Sequence, residues 1–303
     1  MSDDVVVSAV DCVHTGREGR HSRALLLALV VTALFMVVEA IGGWLANSLA
    51  LLADAGHMLA DVGSLALAAI AARLAQRPAT AAKTYGYLRL EIFAAVVNGA
   101  VLIGLALLIL WEAYTRFSAP PDIEPRILLG VATAGLIANT VVLRVLHAGH
   151  EHNLNVRGAY LHVLGDLLGS IGAVGAGAII WLTNWTSVDA VVSVVIAILI
   201  AVSAIRLLRD SVDILLEATP RHISLARVAE ELESIEGVSD VHDLHVWTVT
   251  SGMVAMTGHA VVSDTSRSGD VLRTAAERLA SLGVDHVTIQ LEPERRCPEA
   301  LTV

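Results

Sequence analysis

The stretch Leu49–Gly63, LALLADAGHMLADVG, decides how the chain is read. It is an apolar run into which Asp54, His57 and Asp61 are set. A second run, Ala159–Gly169, AYLHVLGDLLG, repeats its spacing: His57 precedes Asp61 by four residues, and His162 precedes Asp166 by four. Residues four apart lie one above the other on one face of an α-helix. Each run therefore presents an imidazole beside a carboxylate.

The surroundings of these pairs are lipid-like. Hydrophobic residues make up 55% of the chain and charged residues 17%, and the mean hydropathy is +0.67. Six apolar runs, at about 24–45, 49–72, 91–114, 127–148, 156–182 and 188–208, each reach the roughly 20 residues that a helix needs to cross a bilayer. Placing an ionisable group at the centre of such a helix costs about 2.5–3.5 kcal/mol, so those that persist mark substrate or proton paths. Two matched His-x-x-x-Asp pairs supply two imidazoles and two carboxylates, enough for a tetrahedral metal site. Zn²⁺ accepts that donor set, whereas Ca²⁺ and Mg²⁺ require more oxygens or retained water. Neither run contains cysteine, which disfavours Cu(I). Zn²⁺ leads, with Cd²⁺, Co²⁺, Fe²⁺ and Ni²⁺ still open.

Basic residues set the topology. One side carries 11: Arg17, Arg20, Arg23, Arg73, Arg77, Lys83, Arg89, Arg144, Arg157, Arg206 and Arg209; the other carries only Arg116 and Arg126. Both termini are thus expected in the cytoplasm, with a tail over 1–23, a transmembrane domain over 24–209 and a soluble domain over 210–303. The first apolar segment is too long for a cleaved signal peptide. Several polar residues keep two readings. Cys12, His14 and His21 read as a solvated tail or a loose metal site. Glu39 relays protons, lines a cavity or bonds a neighbouring helix. Asp54 is a fifth ligand, a partner orienting His57, or part of an access path. Glu91 reads as a helix cap, and Asn98 as buried polar glue or a pathway residue. His147, His150 and His152, with Glu151, form a short tract that captures metal or is merely solvated. Gly42 and Gly43, and the strip Gly165, Gly169, Gly172 and Gly175, permit close helix packing, the strip bringing helix 2 onto helix 5.

From Asp210 onward there are 16 acidic against 7 basic residues, a net of −9, which excludes a nucleic-acid surface. Periodicity gives helix 223–235, strands 238–249 and 253–263 joined at Ser251-Gly252, helix 268–282 and strand 284–292. This pattern suggests an α+β, ferredoxin-like domain with two helices on a small antiparallel sheet. Its histidines suggest a second metal site from His242, His259, His286 and Glu292, near Gln290, with His245 the weakest candidate. Cys12 and Cys297 both lie in cytoplasmic tails, so no disulfide framework is indicated; Cys297 reads as a free thiol or a further ligand.

With these motifs in place, the chain resembles the cation diffusion facilitator family of zinc transporters and efflux proteins. The resemblance rests on SLALLADAGHMLAD (Ser48–Asp61), YGYLRLE (Tyr85–Glu91), HVLGD (His162–Asp166), HDLHVW (His242–Trp247) and HVTIQLE (His286–Glu292). It implies six transmembrane helices with a cytoplasmic domain, and a homodimer exchanging cytoplasmic Zn²⁺ for protons. It also implies transport through His57, Asp61, His162 and Asp166, with zinc bound in the tail domain by His242, His259, His286 and Glu292. Arg89 is expected to pair with Asp213 or Glu217. The chain departs from the pattern in two ways: the loop Arg73–Arg89 has no His, Asp or Glu for a further metal site, and the His-rich loop is short. A bacterial inner membrane is the expected location.

Two other classes fit the chain less well. An intramembrane zinc hydrolase would keep three ligands and an open position, and the chain has neither His-Glu-x-x-His nor Gly-x-Ser-x-Gly. A membrane-tethered metal sensor would have no use for paired ligands inside its anchor. Transport, not catalysis, is the expectation.

Overall fold

The computed structural model describes residues 7–147 and 154–293, with side chains placed for 27–67, 69–71, 73–147 and 157–293. Cys12, His14 and His21, the tract at His150, Glu151 and His152, and Cys297 fall outside these described side chains. Six long helices come first: α1 (Val7–Ala46), α2 (Leu49–Ala75), α3 (Leu90–Ser118), α4 (Pro125–His147), α5 (Leu154–Thr183) and α6 (Ser187–Leu215). Each contains a span long and apolar enough to cross a membrane. Helix α1 starts at Val7, well before its apolar run, so much of the polar leading stretch is helical. Then follow α7 (Leu225–Glu233), β1 (Val238–Thr250), β2 (Met253–Val262), a 3₁₀ turn (Thr265–Arg267), α8 (Ser268–Ser281) and β3 (His286–Glu292).

The chain divides into two compact units, Met1–Leu65 with Asn98–Ile205, and Ala66–Val97 with Arg206–Val303. In the first unit the surface is apolar. Leu34, Leu108 and Leu199 are more than half exposed, as are Trp44, Trp111, Tyr114, Trp181 and Trp185. Such a surface is stable against lipid, with Trp and Tyr suited to its boundary. The interior is built from small residues. Ala50 and Ala53 of α2 pack with Leu102 and Ala106 of α3 and with Ala197 and Ala204 of α6.

Glycines set the close approaches, though not all those expected. A Cβ at Gly42 would meet Val131 at 2.5 Å, one at Gly135 would meet the Phe35 ring at 2.7 Å, and one at Gly177 would meet Leu129 at 2.9 Å. The expected strip on α5 is corrected: Gly165 and Gly175 face nothing within 4 Å, Gly172 faces Val192 of α6, and only Gly169 faces α2, at Asp54. Residues at helical spacing share a stripe, but the partner's path decides which positions it crosses.

The turn between α1 and α2 is held by side chains. Asn47 adopts φ 55°, which reverses the chain. Asp189, in the first turn of α6, then accepts from Ser48 Oγ at 2.6 Å and from the Leu49 amide at 2.7 Å. A carboxylate thus satisfies donors at the N-terminus of α2, where an anion also suits the helix dipole. Arg116 lies 3.8 Å from Asp189 and donates to the Asn47 carbonyl at 2.7 Å.

In the second unit Ser224 caps α7, accepting from the Arg227 amide. Val228 and Leu232 of α7, Val271, Ala275 and Leu279 of α8, and Leu244, Val246 and Met256 of the sheet form one core. The sheet order is β1-β2-β3, with β1 and β2 antiparallel but β2 and β3 parallel. The all-antiparallel expectation is corrected here. A helix between two neighbouring strands is a crossover, and a crossover returns the chain in the same direction. Helix α8 lies between β2 and β3 and carries the chain back to the start of a strand that runs parallel to β2.

Candidate metal sites

Helices α2 and α5 bring the two His-x-x-x-Asp pairs together. Asp61 Oδ2 stands 3.5 Å from His57 Nε2 and 3.4 Å from His162 Nε2, and His162 Nε2 stands 3.7 Å from Asp166 Oδ2. These separations are at or beyond the length of a good hydrogen bond. They suit donors around a common ion: tetrahedral ligands at ~2.0–2.2 Å stand about 3.3–3.6 Å from one another. Asp61 Oδ2 and Asp166 Oδ2 are buried with no hydrogen-bond partner in the protein. Bare carboxylate oxygens in an apolar bundle are costly without a cation or a proton.

Three donors, from His57, Asp61 and His162, lie within 4.8 Å of one another. Asp166 touches this group through His162 and is more deeply buried, at 5% exposure. Asp54 does not orient His57, because His57 Nδ1 has no hydrogen-bond partner. It faces Gly169 of α5, where a Cβ would stand 3.6 Å from its Oδ1.

The second cluster is on the sheet. Register places His242 opposite His259 and Val261 beside Glu292. Glu292 then spans both imidazoles, with Oε2 at 3.5 Å from His242 Nε2 and Oε1 at 3.3 Å from His259 Nδ1. Two residues that period-2 reading puts on the same strand faces support it. Asp240 Oδ2 lies 3.1 Å from His242 Nδ1, and Gln290 Nε2 donates to Glu292 Oε1 at 2.7 Å. The first contact leaves His242 Nε2, which has no hydrogen-bond partner, to face the cluster. A carboxylate behind an imidazole commonly fixes a ligand's tautomer in this way.

His286 is not part of this group. It pairs with Ala255 at the start of β3, four residues before Gln290, the partner of His259. At about 3.3 Å per residue that separation is roughly 13 Å. Its ring meets Tyr85 edge-on, with centroids 6.4 Å apart. His245 is also turned away. The β1–β2 register slips between His242 and His245, Asp243 adopts φ 53°, and His245 pairs with Asp243 at 3.1 Å.

Other expected residues have specific places. Arg89 binds Glu217 at 2.8 Å, while Asp213 sits 3.5 Å from Arg221. Glu91 does more than open α3: its carboxylate accepts from Thr250 Oγ1 at 3.0 Å and Ser251 Oγ at 2.8 Å, at the β1–β2 turn. Asn98 is half-buried. His147 lies near the ring of Tyr160, at 6.0 Å between centroids.

Comparison with known proteins adds two domain matches. The pattern of the cation efflux transmembrane domain matches residues 25–216, and that of the cation efflux protein cytoplasmic domain matches residues 220–294. The chain is 44% identical over 286 residues to a cadmium, cobalt and zinc/H(+)-K(+) antiporter of Bacillus subtilis, covering 93% of this chain and 92% of that protein. It is 44% identical over 278 residues to the zinc transporter ZitB of Escherichia coli, covering 91% and 88%. To the metal cation efflux system protein CzcD of Cupriavidus metallidurans it is 42% identical over 277 residues, covering 90% and 87%.

Proposed function

This chain belongs to the cation efflux family, an integral membrane protein with six transmembrane helices and a cytoplasmic domain, and on that premise we propose that it exports Zn²⁺ in exchange for protons. The general activity, efflux of divalent cations, follows from the family; the ion, the counter-ion and the ligands are inferred from the site. Zn²⁺ is held by His57, Asp61, His162 and Asp166. The observation that carries this reading is Asp61 Oδ2, bare of hydrogen bonds and 3.4–3.5 Å from two imidazoles on different helices. Asp166, one turn along α5 from His162, supplies the fourth oxygen. Relatives named for zinc, and in one case also for cadmium and cobalt, support a borderline divalent ion.

The exchange follows from ligand chemistry. Imidazole and carboxylate bind metal only when deprotonated, so Zn²⁺ expels protons and protons expel Zn²⁺. Histidine, with an ordinary pKa of ~6.5, changes charge between a neutral cytoplasm and a more acidic exterior. Alternate opening to the two sides turns this competition into antiport. The bundle over 24–209 carries the ion. The domain over 210–303 joins two copies into a homodimer and binds a regulatory or structural Zn²⁺ through His242, His259 and Glu292. These three fit such an ion: Glu292 lies 3.3–3.5 Å from both imidazoles, and His242 Nε2 is buried without a hydrogen bond. The membrane is a bacterial inner membrane, as expected for relatives from bacteria.

The test is Zn²⁺ flux in proteoliposomes under an imposed proton gradient. Wild type moves Zn²⁺ against protons, and Asp61→Ala and Asp166→Ala, still folded, do not. Normal flux in both variants would overturn the ligand assignment.

A further inference from the structure

The outer ends of the helices are fastened by a polar cluster that has no part in the exchange described above. Asp189, in the first turn of α6, is 1% exposed. Its Oδ1 accepts from Ser48 Oγ at 2.6 Å and from the Ala50 amide at 3.4 Å, and its Oδ2 accepts from the Leu49 amide at 2.7 Å. Ser48 Oγ in turn accepts from the Leu51 amide at 3.3 Å. First-turn amides have no partner within their own helix, and a residue just before the helix ordinarily supplies one. Here two of the three are satisfied by a carboxylate from a different helix. The α1–α2 turn is tied to two further neighbours. Arg116 of α3 donates to the Asn47 carbonyl at 2.7 Å and lies 3.8 Å from Asp189. Asn47 Nδ2 donates to the Asp122 carbonyl at 3.1 Å, and the Glu124 amide donates to the Ala46 carbonyl at 3.1 Å, which joins the turn to the segment leading into α4.

Beside this cluster lies an apolar layer. Ala46, Leu51, Ile123, Leu128, Ile180 and Val188 are all buried and belong to one packed core drawn from α1, α2, α4, α5, α6 and the segment before α4. Leu51 follows the fastened amides directly, and Val188 precedes Asp189. At about 1.5 Å per residue, His57 stands roughly 9 Å inward of Leu51 on α2. On α5, Ile180 likewise stands outward of Asp166. The layer therefore separates the transport ligands from the outer ends of the bundle. Because those ligands sit on α2 and α5, an ion leaving outward passes along α2, where Leu51 fills the layer.

We infer that Asp189, Asn47 and Arg116 form a latch at the outer end of the bundle, fastened while the ion is loaded from the cytoplasm and released before the ion leaves on the outer side. They are positioning residues, which act on transport through the place they give α2. The reason lies in where the cap comes from. A cap supplied by α2's own segment would travel with the helix and oppose no motion. A cap supplied by α6 is lost when the outer end of α2 shifts, and the ties from Asn47 to α3 and to the segment before α4 resist the same displacement. The ties suit a reversible step, because they are hydrogen bonds and an ion pair at the rim of the bundle, where water replaces them when they part. This inference rests on the transport reading.

The experiment uses the full-length chain with Cys12→Ser and Cys297→Ser, which leaves no native thiol. Asn47→Cys and Asp122→Cys, both at exposed positions, are joined by a short bis-methanethiosulfonate reagent that reductant removes. Zn²⁺ flux in proteoliposomes is expected to stop on joining and to return on reduction, while either substitution alone, treated alike, keeps its flux. Flux that continues through the joined chain overturns the inference. A second measurement places Leu51→Cys in the layer and follows its labelling by a maleimide in nanodiscs. Asp189→Asn keeps the shape but turns an NH₂ toward a backbone donor, and Asn47→Gly removes the ties while tolerating φ 55°. Loss of a hydrogen bond to a charged group shifts an equilibrium by about tenfold or more, so Asp189→Asn should raise labelling by about that factor, and Asn47→Gly by less. Val142→Cys, buried toward the cytoplasmic end of α4, reports general loosening and should label at an unchanged rate. Equal rises at the two positions would make Asp189 a stabiliser of the fold only and overturn the inference, as would no rise at Leu51→Cys. Wild type that moves no Zn²⁺ overturns the transport reading and the latch with it, a failure distinct from flux that survives joining.

Discussion

Asp61 and Glu292 are placed alike in different settings: each is a carboxylate beside two imidazoles. What differs is the support behind them. His242 has Asp240 at 3.1 Å on its far nitrogen, whereas His57 has no partner on Nδ1. An ion to be released benefits from a looser ligand, and a resident ion from a fixed one. Asp240→Ala is therefore expected to weaken Zn²⁺ binding at the sheet cluster by about 10–100-fold, while His286→Ala leaves it unchanged; competition titration with a chromophoric chelator reads both. A second prediction concerns pH. Arg267 binds Glu236 at 3.1 Å and holds its carboxyl below the ordinary 4.5. A lowered folded-state pKa contributes stability above the unfolded value, lost as pH falls through the folded value. The pair's contribution is thus complete at neutral pH and fades below about 4.5. Arg267→Ala should remove that acid-side loss, seen as melting temperature against pH, and should return the Glu236 titration to its ordinary range by carboxyl NMR.

Among the elements, α1 packs on α4 through Gly42 and Gly135, and α4 packs on α5 through Gly177. Without a hydrophobic drive between helices in lipid, such close contacts carry much of the association. Gly135→Ala would place a Cβ 2.7 Å from the Phe35 ring and 3.3 Å from Glu39. Overpacking of this kind costs about 1–3 kcal/mol, to be read as a lower melting temperature in detergent. Gly165→Ala meets nothing within 4 Å and gains helix propensity, so it should be neutral or slightly stabilising. Equal losses in the two variants would contradict this division of the glycines. In the second unit the crossover through α8 has the larger consequence. It runs β3 parallel to β2, placing Glu292 beside Val261, near His259, and sending His286 to the opposite end of the strand.

For the whole molecule, two clusters of candidate metal ligands on separate compact units should give two separable responses to metal. Saturating Zn²⁺ at 100 times its dissociation constant stabilises a folded site by about 2.7 kcal/mol. Zn²⁺ should therefore raise the melting temperature, a chelator should reverse the rise, and His242→Ala with Glu292→Ala should remove the part due to the sheet cluster while leaving the transport ligands intact. Lowering external pH should accelerate Zn²⁺ export from loaded vesicles, and a rate indifferent to the gradient would contradict antiport. Local chemistry made much of this legible beforehand. Six apolar runs, the sign of their flanking charges and two His-x-x-x-Asp spacings are properties of short stretches, and they pointed to the six helices, the topology and the types of the candidate ligands. The acidic tail and its period-2 runs likewise announced a small α+β domain. Only the tertiary structure decided which of these groups meet. Asp54 faces Gly169 and leaves His57 Nδ1 without a hydrogen bond, Glu91 holds the hairpin turn, Arg89 selects Glu217, and His286 lies apart from His259. Each of these depends on the register between elements far apart in sequence. Register is set by the packing of whole surfaces, and a short stretch of chain carries no record of the surface it will meet.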